Sequence, residues 1–388
     1  MNVAVNGARR VRTDLFFVAL VLVILGLLFV APSFYESPYA QTTLRSRGRV
    51  LAADNSLVQQ YNIVRAGSQV LQVEITKGEY AGQVVTAGND LIGKMETDKM
   101  FQEGDEVYLV LSVRGGEIKQ ATAYDHYRLD VELALFALFA LLLIGFAGWT
   151  GVRALVSFLF AIMMIWKVLL PAILAGYDPI LVSFAVVACL TAVTLTLVAG
   201  ANRTALVAIL GALLGLTLTC ALAMLLLSPF HLHGAVLPYS ETLLYSGYAD
   251  MNLSRLFVAA IFVGASGAVM DLSIDVAAAM AEVAEKRPDL SFGEMVRSGF
   301  SVGRAMTGTM VTTLLMAYIA SYMALLMVFL AQGVPPLNIL NTNYVAAEIL
   351  RTLVGSFGLV TVAPFTALVG GIALVGWPRR HASSPRLP

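Results

Sequence analysis

Two carboxylates in an otherwise apolar stretch, Asp271 and Asp275, are the side chains of this sequence best placed to do chemistry. Residues 264–282 are apolar enough for a membrane helix, in which an ionisable side chain is costly and usually faces protein or a water-filled cavity. At 3.6 residues per turn, the two Asp share one face with Gly264 and Ala268, which predicts a close helix contact. The two carboxylates therefore either hold a helix bundle together or bind a proton or another cation.

The next predicted membrane helix begins near the depth of Asp275 and carries Arg304 there. We expect Asp275 and Arg304 to form an ion pair that clamps the two helices and offsets part of the cost of burial. Asp271 lies about one helical turn deeper, with no cation beside it in the sequence. Its carboxyl group is expected to accept a hydrogen bond from Thr307 or Thr309, or to exchange a proton.

An alternative interpretation makes Asp271 a proton or cation site with threonine oxygens as further ligands. Those oxygens would come from the stretch 308–313, which includes Thr309 and Thr312, and from Thr191, Thr194 and Thr196 of an earlier helix. Thr hydroxyls in membrane helices commonly bond the carbonyl four residues earlier, which favours a structural role. Both interpretations stay open at this point.

Glycines at helical spacing predict tight contacts between membrane helices without chemistry of their own. They are Gly264, Gly267, Gly308, Gly211 and Gly215. A further set of charged residues lies near predicted helix ends and is interpreted as interfacial anchors first and as the mouth of a pathway second. This set is Asp130, Glu132, Lys167, Glu348 and Arg351, of which the last two are one turn apart and are expected to pair.

The chain is 58% hydrophobic and 13% charged, which excludes an ordinary soluble domain. Apolar runs predict eight membrane helices, near residues 14–31, 129–149, 153–175, 179–199, 204–227, 255–281, 305–331 and 344–377. Lys and Arg are absent from the loops around 176–179, 228–254 and 332–343, whereas the loops on the other side carry them. By the positive-inside rule, both termini are expected in the cytoplasm.

Residues 32–128 are polar, glycine-dotted and strand-patterned, unlike the rest of the chain. Predicted strands at 49–53, 70–76, 83–87, 106–113 and 117–123, the last two joined as a hairpin, favour a small OB-like β-barrel. The expected fold is therefore mainly α: a polytopic membrane protein with an extracytoplasmic barrel between helices one and two. The predicted divisions are an N-terminus and anchor (1–31), the β domain (32–128), a seven-helix bundle (129–377) and a cytoplasmic tail (378–388).

Several function classes find no support in the sequence. A net charge of zero provides no basic face for nucleic acid, and no nucleophile elbow, phosphate loop or HExxH motif indicates an enzyme. His231 and His233 form an isolated HxH in a loop, and Cys189 and Cys220 lie in apolar runs, so no metal site or cofactor is expected. A capping box at Ser291 predicts a short helix on the inner membrane surface.

Four stretches of the sequence resemble the YibE/F family of bacterial multi-pass membrane proteins. They are residues 264–282, 298–321, 200–215 and 171–182, and the resemblance extends over roughly residues 40–377. It implies a bacterial cytoplasmic (inner) membrane protein with this architecture, and transport is the activity usually inferred for such proteins by analogy.

Two functional hypotheses follow. The first is a permease or exporter for an unknown solute, with Asp271 as its proton or cation site. The second is a non-transporting scaffold or accessory subunit whose outer β domain binds an envelope protein. The lipid bilayer is a partner in both cases, and the sequence leaves the oligomeric state undetermined. A pathway should show polar side chains leading away from Asp271, whereas a scaffold should show a dry apolar centre.

Overall fold

The structure is a computed structural model that describes residues 2–32, 35 and 43–375, with side chains from residue 15 onward. The predicted tail at 378–388, the last residues of the predicted final helix and the N-terminal Arg side chains lie outside the described residues. The chain divides into two compact units. Met1–Tyr35 with Ile144–Pro388 form one, and Glu36–Leu143 form the other.

Six strands build a small β-barrel in the second unit. They are β1 (Thr43–Asp54), β2 (Val58–Tyr61), β3 (Val64–Ile75), β4 (Val84–Ile92), β5 (Glu106–Arg114) and β6 (Glu117–His126). Five of them follow one another in the order β1-β5-β6-β4-β3, and β1 also pairs with β3, so that these five strands close on themselves. Neighbouring strands are antiparallel except β4 and β6. Closure leaves these strands without a free edge.

The barrel encloses a small apolar core, because successive side chains of a strand point alternately into and out of the barrel. β3 and β5 supply the centre of this core with Leu71, Val73, Ile75, Val107, Leu109 and Leu111. All five predicted strands overlap β1 and β3 to β6, and the predicted hairpin is confirmed by the pairing of β5 with β6. The four-residue β2 was not predicted. It is joined to β3 through Asn62, whose φ of 55° makes a tight turn.

Two amides, Gln69 of β3 and Asn89 of β4, lie buried inside the barrel and form a hydrogen-bond network. The Gln69 amide nitrogen donates to the Phe101 carbonyl at 2.8 Å and to Asn55 Oδ1 at 2.7 Å. The Gln69 Oε1 oxygen accepts from the Phe101 N–H and from Asn89 Nδ2, both at 3.1 Å. Asn89 Nδ2 also donates to the Lys99 carbonyl at 2.7 Å. The network fastens the segment around Phe101 to the barrel.

Apolar helices make up most of the rest of the chain. They are α1 (Asn2–Val30), α2 (Leu129–Met164), α3 (Leu170–Leu174), α4 (Pro179–Ala199), α5 (Arg203–Leu227), α6 (Ser240–Tyr245), α7 (Leu253–Lys286), α8 (Phe292–Ala331), α9 (Pro336–Asn341) and α10 (Asn343–Leu374). Six helical segments of the described residues are long and apolar enough to cross a membrane: Leu129–Leu174, α4, α5, α7, α8 and α10. The chain is therefore a membrane-embedded, multi-pass protein.

The predicted count of eight membrane helices is not confirmed. The first predicted span is represented by a shorter apolar helix, Leu15–Val30. The two spans predicted at 129–149 and 153–175 form one segment, Leu129–Leu174, in which α2 continues through a π-helical turn (Ile165–Leu169) into α3. The separation that the sequence suggested is present only as a break at Gly148, whose φ of 55° and ψ of −128° are not helical. Such a conformation suits a residue without a Cβ atom.

The predicted surface helix after Ser291 is also corrected. The capping box of Ser291 and Glu294 is present, but it starts the 40-residue α8, which continues without interruption. Met295 is 1% exposed, and Phe292 and Val296 lie against Gly371 of α10. The first turn of α8 therefore packs on the bundle, because its apolar residues face α10.

The centre of the bundle is an apolar core between α5, α7 and α10. Val269, Leu272 and Val276 of α7 and Leu359 and Val362 of α10 are fully buried there. α8 contributes less to the interior, since its buried residues are Met295, Gly299, Gly303 and Leu314. Polar residues on α5, α7 and α10 therefore lie close to a packed apolar core, whereas most residues of α8 are less buried.

Candidate functional site

The predicted pair of carboxylates lies in the second half of α7, near the side on which α8 packs. Asp271 is exposed and Asp275 is half-buried, one helical turn further on. Neither carboxylate takes part in an ion pair or a hydrogen bond among the described residues. Two carboxylates at this spacing repel each other when both are charged, so that binding a proton or a cation would relieve the repulsion.

The structure does not bring Asp275 and Arg304 together, which corrects the predicted ion pair. Arg304 is exposed on α8, and the ion pairs within residues 43–375 do not include it. The reason lies in its neighbour Gly303, where an added Cβ would come 2.4 Å from the Ala363 Cβ and 3.8 Å from a Val276 methyl group. Because Gly303 faces the core, the next residue, about 100° further around the helix, points away from it.

The threonines do not bond Asp271 in this structure. Thr307 donates to the Gly303 carbonyl at 2.6 Å, and Thr312 donates to the Gly308 carbonyl at 3.2 Å. Thr309 donates to the Met306 carbonyl at 3.0 Å. Among the threonines of α4, Thr191 and Thr196 likewise bond the carbonyls four residues earlier, and Thr194 bonds Ser157. Except for Thr194, these threonines hydrogen-bond a carbonyl of their own helix, as the structural interpretation expected.

A second polar site, which the sequence did not identify as one, lies between α10 and α8. Glu348 of α10 is only 8% exposed, and its Oε2 is 3.7 Å from an Nη1 of Arg351. The guanidinium carbon of Arg351 lies 5.7 Å from the ring centroid of Tyr318 of α8. Tyr322 lies one turn further along α8, at the spacing that puts it on the same helix face as Tyr318. We call these four residues the Glu348 site.

The Glu348 site contains buried polar atoms that have no hydrogen-bond partner. Within the part of the chain that the structure describes, Glu348 Oε1 and Tyr318 Oη are two such atoms. Buried polar atoms are usually satisfied, and each exception calls for an explanation such as a ligand. The predicted pairing of Glu348 with Arg351 is confirmed, but the structure buries Glu348 where the sequence suggested an anchor at the interface.

Tyr318 has room in this site because two glycines flank it. A Cβ added to Gly264 of α7 would lie 3.2 Å from Tyr318 Oη, and one added to Gly355 of α10 would lie 3.7 Å from it. The Glu348 site therefore lies beside α7 as well, two turns before Asp271. The signal for it in the sequence was the pair of tyrosines at positions 318 and 322, spaced to share a helix face.

A comparison with models of protein families matches residues 135–376 to the YibE/F-like proteins. The match covers more than half of the chain and extends from α2 to the end of α10. The chain belongs to the YibE/F-like family. The resemblance noted in the sequence is thereby confirmed, and both polar sites lie inside the matched region. No curated protein and no solved structure matches the chain.

Within this YibE/F-like region, the predicted packing glycines divide into two groups. A Cβ at Gly211 would come 2.1 Å from Thr366 Oγ1, and one at Gly215 would come 3.1 Å from Val362, so α5 and α10 are in close contact there. A Cβ at Gly267 or Gly308 would meet no atom within 4 Å. These two positions do not serve the predicted helix contact, because they lie on faces that no neighbouring helix covers in the described structure.

The beginnings of α4 and α7 form a third polar feature of the YibE/F-like region. Asp178 caps α4 by accepting from the N–H groups of Ile180 and Leu181, and it is hydrogen-bonded to Arg255 of α7. The hydrogen bond from Arg255 lowers the pKa of the Asp178 carboxyl. Both residues line a cavity of about 440 Å³ that Tyr177 and Asn252 also border. In contrast to Glu348, both oxygens of the Asp178 carboxylate accept hydrogen bonds.

Two other charged residues that were interpreted as interfacial anchors, Lys167 and Asp130, have hydrogen-bond partners. Lys167 Nζ donates to the Ala31 carbonyl at 3.0 Å, and Asp130 accepts from Arg47 at 2.6 Å. Among the described residues, no group of three or more His, Cys, Asp or Glu side chains is arranged to hold a metal ion. The two polar sites on α7, α8 and α10 are therefore the candidates for function.

Proposed function

We propose that this YibE/F-like protein is a permease or exporter of the bacterial inner membrane, with Asp271 as a site for a proton or another cation. The observation that carries the proposal is the pair Asp271 and Asp275 on a membrane-length helix, without an ion pair or hydrogen bond among the described residues. Ionisable side chains inside a membrane segment mark ion pathways and proton relays more often than structural contacts.

We infer the orientation of the protein from the distribution of Lys and Arg in its loops. The segments between α3 and α4, between α5 and α7, and between α8 and α10 contain no Lys or Arg. In contrast, Lys286 ends α7 and Arg287 follows it in the connection to α8. With one membrane crossing on each side of the break at Gly148, this distribution supports cytoplasmic termini and an extracytoplasmic barrel. In a variant without Cys189 and Cys220, an impermeant thiol reagent should label Ser56→Cys in cells with an opened outer envelope, and Glu285→Cys only after lysis. The reverse labelling would contradict the orientation.

The transport proposal is tested by flux into liposomes that contain the purified full-length chain. A pH gradient across the liposome membrane should drive uptake or release of protons, followed with a pH-sensitive dye, when a transported solute is present. Asp271→Asn preserves the size of the side chain but cannot exchange a proton, so it should abolish proton flux while leaving the unfolding temperature nearly unchanged. Glu285→Gln, an exposed change at the end of α7, is the matched control and should behave like the wild type.

Full proton flux in the Asp271→Asn variant across pH would contradict the role of Asp271. An equally low unfolding temperature in Asp271→Asn and Asp271→Ala would also contradict it, because both would then report a structural contact. Solutes can be screened in pools, since the readout is the proton and not the solute.

The scaffold function is the second candidate, and the apolar core of the bundle supports it. Between α5, α7 and α10 the bundle is filled by Val269, Leu272, Val276, Leu359 and Val362, and no polar contact leads from Asp271 to the Glu348 site among the described residues. The barrel fits this role as well. Its strand order, with β4 parallel to β6, favours an OB-type barrel, and such barrels bind partners through their strands and loops. Copurification of an envelope protein that depends on the barrel, without any flux, would favour the scaffold.

A further inference from the structure

The Glu348 site differs from Asp271 in combining both signs of charge in one buried place. We propose that it binds a small monovalent anion together with a proton, the anion on the Arg351 guanidinium and the proton on the Glu348 carboxylate. The inference rests on the proposed transport function, for which it supplies a substrate class. It assigns roles to residues on α8 and α10 rather than to the carboxylates of α7.

The guanidinium of Arg351 is available to a ligand. Its distance of 3.7 Å from Glu348 Oε2 exceeds the range of roughly 2.7–3.2 Å for a hydrogen bond, so the two groups attract each other without bonding. No hydrogen bond donated by Arg351 occurs in the described part of the chain. A guanidinium offers two parallel N–H donors to one anion, which is the geometry that suits a carboxylate or nitrate and also accommodates a halide.

Charge balance couples the anion to a proton. With Glu348 ionised, the pair is neutral, and an anion arriving alone would leave one negative charge in a buried place. A proton arriving alone would leave one positive charge on Arg351. When a proton binds to a Glu348 oxygen and an anion binds to Arg351, the site is neutral again, and this is the arrangement that a low-dielectric interior favours. No covalent bond other than the O–H bond of Glu348 forms or breaks.

The unsatisfied atoms of the site fit this bound state. Glu348 Oε1, which has no donor among the described residues, is the oxygen free to take the proton. Tyr318 Oη, also without a partner there, can donate to the anion. The other titratable groups of the site are Arg351 from the same helix as Glu348 and Tyr318 and Tyr322 from α8. Tyr344 lies one turn before Glu348 on α10.

The burial of Glu348 limits the size of the anion. Glu348 is 8% exposed, and the cavity of about 440 Å³ near Asp178 is lined by other residues. A closed site of this kind accepts an ion of a few atoms, such as chloride, nitrate or formate, more readily than a larger solute. Arg and Tyr ordinarily titrate at about pH 10 or above, so the carboxyl is the group of this site that can take up a proton with the anion between pH 5 and 8.

The test is anion-dependent thermal stabilisation of the purified full-length protein in detergent. Sodium chloride, nitrate and formate are titrated at pH 5 and pH 8 against gluconate at the same ionic strength. A ligand that binds the folded state raises the unfolding temperature according to its dissociation constant. We expect at least one of the three anions to stabilise the wild type at pH 5. Its apparent dissociation constant should rise with pH by up to about tenfold per unit, because each anion requires a proton.

Variants separate the two roles. Glu348→Gln mimics the protonated acid, so it should bind the anion at both pH values with little difference between them. Arg351→Gln should lose the stabilisation, and Arg351→Lys, which keeps the charge but not the paired donors, should weaken it. Arg297→Gln, an exposed change on α8, is the matched control and should follow the wild type. Formate acting alone would assign carboxylates, and chloride or nitrate would assign inorganic anions.

Three outcomes would overturn the inference: no stabilisation by any of the anions at pH 5, stabilisation that survives both changes of Arg351, or a pH dependence that persists in Glu348→Gln. If Arg351→Gln does not fold, Arg351→Lys and Tyr318→Phe still decide the matter, because both are predicted to weaken anion binding. The test needs no transport. Its failure is therefore distinguishable from failure of the flux experiment on Asp271.

Discussion

Buried polar side chains occur in both units of the molecule, but their hydrogen bonds differ. In the barrel, Gln69 and Asn89 are buried and every amide contact serves the backbone or another amide. In the bundle, Glu348 is nearly as buried, yet its Oε1 has no partner among the described residues, and neither has Tyr318 Oη. The hydrogen-bonded amides of the barrel stabilise its fold, whereas the unpartnered polar atoms of the Glu348 site are available to a ligand.

The energetics support this distinction. A satisfied buried hydrogen bond contributes about 1 kcal/mol net, whereas an unsatisfied buried polar group costs about 1–3 kcal/mol. In the barrel, the hydrogen bonds of Gln69 offset the cost of burying its amide group. In the Glu348 site, the cost of burying Glu348 Oε1 and Tyr318 Oη is not offset until a ligand binds. A site with this property is preorganised for its ligand.

The largest expected effect is on the barrel. Gln69→Leu should destabilise it by about 3 kcal/mol or more, because the Phe101 N–H, the Phe101 carbonyl and Asn89 would each lose a buried partner. Hydrogen exchange of β3 and β4 peptides in the full-length protein should accelerate accordingly. Gln72→Leu, an exposed change on the same strand, is the control. Equal exchange in the two variants would show that the network is not structural.

A smaller effect is expected at Glu348. Glu348→Gln should destabilise the protein by about 1–2 kcal/mol at neutral pH, less than Gln69→Leu. The amide keeps the volume of the carboxylate, which has no hydrogen bond to lose, but Arg351 loses its electrostatic partner at 3.7 Å. Denaturant unfolding in detergent measures this. A loss as large as that of Gln69→Leu would make the two polar sets alike and would remove the contrast between them.

The smallest effect is expected for the partnered pair at the start of α4. Because the hydrogen bond from Arg255 lowers the pKa of Asp178, the pair stabilises the protein above the ordinary Asp pKa of about 4. That stability is lost as the pH falls through the lowered pKa. Since Arg255 is 39% exposed, the contribution should be about 1 kcal/mol or less.

Asp178→Asn isolates this contribution, because Asn caps a helix as well as Asp does. Between pH 6 and 3, the unfolding temperature of the wild type should fall more steeply than that of the variant. Parallel curves would show that the ion pair contributes nothing.

Local features of the sequence predicted much of this fold, while long-range positions did not follow from it. Alternation along β3 and β5, the turn at Gly115 and the capping box at Ser291 are local, and the structure contains all three. The ion pair of Asp275 with Arg304 depended on the rotation of α8 about its own axis. That rotation is fixed by the contact of Gly303 with Ala363, which the sequence does not reveal.

The Glu348 site illustrates the same limit. The pairing of Glu348 with Arg351 was predicted, because residues three positions apart on one helix are neighbours whatever the rest of the fold. Its burial and its tyrosines were not predicted, because they depend on how α8 lies against α10. The Tyr318 hydroxyl group packs closely against Gly264, where a Cβ would come 3.2 Å from it.

The measurement that tests the contrast most directly is infrared difference spectroscopy of the full-length protein at constant pH, recorded when chloride, nitrate or formate replaces gluconate. If anion binding protonates Glu348, the spectrum should gain a carboxylic acid carbonyl band and lose a carboxylate band, and both changes should be absent in Glu348→Gln. No such bands with any of the three anions, or the same bands in Glu348→Gln, would contradict the account and leave the Glu348 site as an unexplained defect in the packing of α8 on α10.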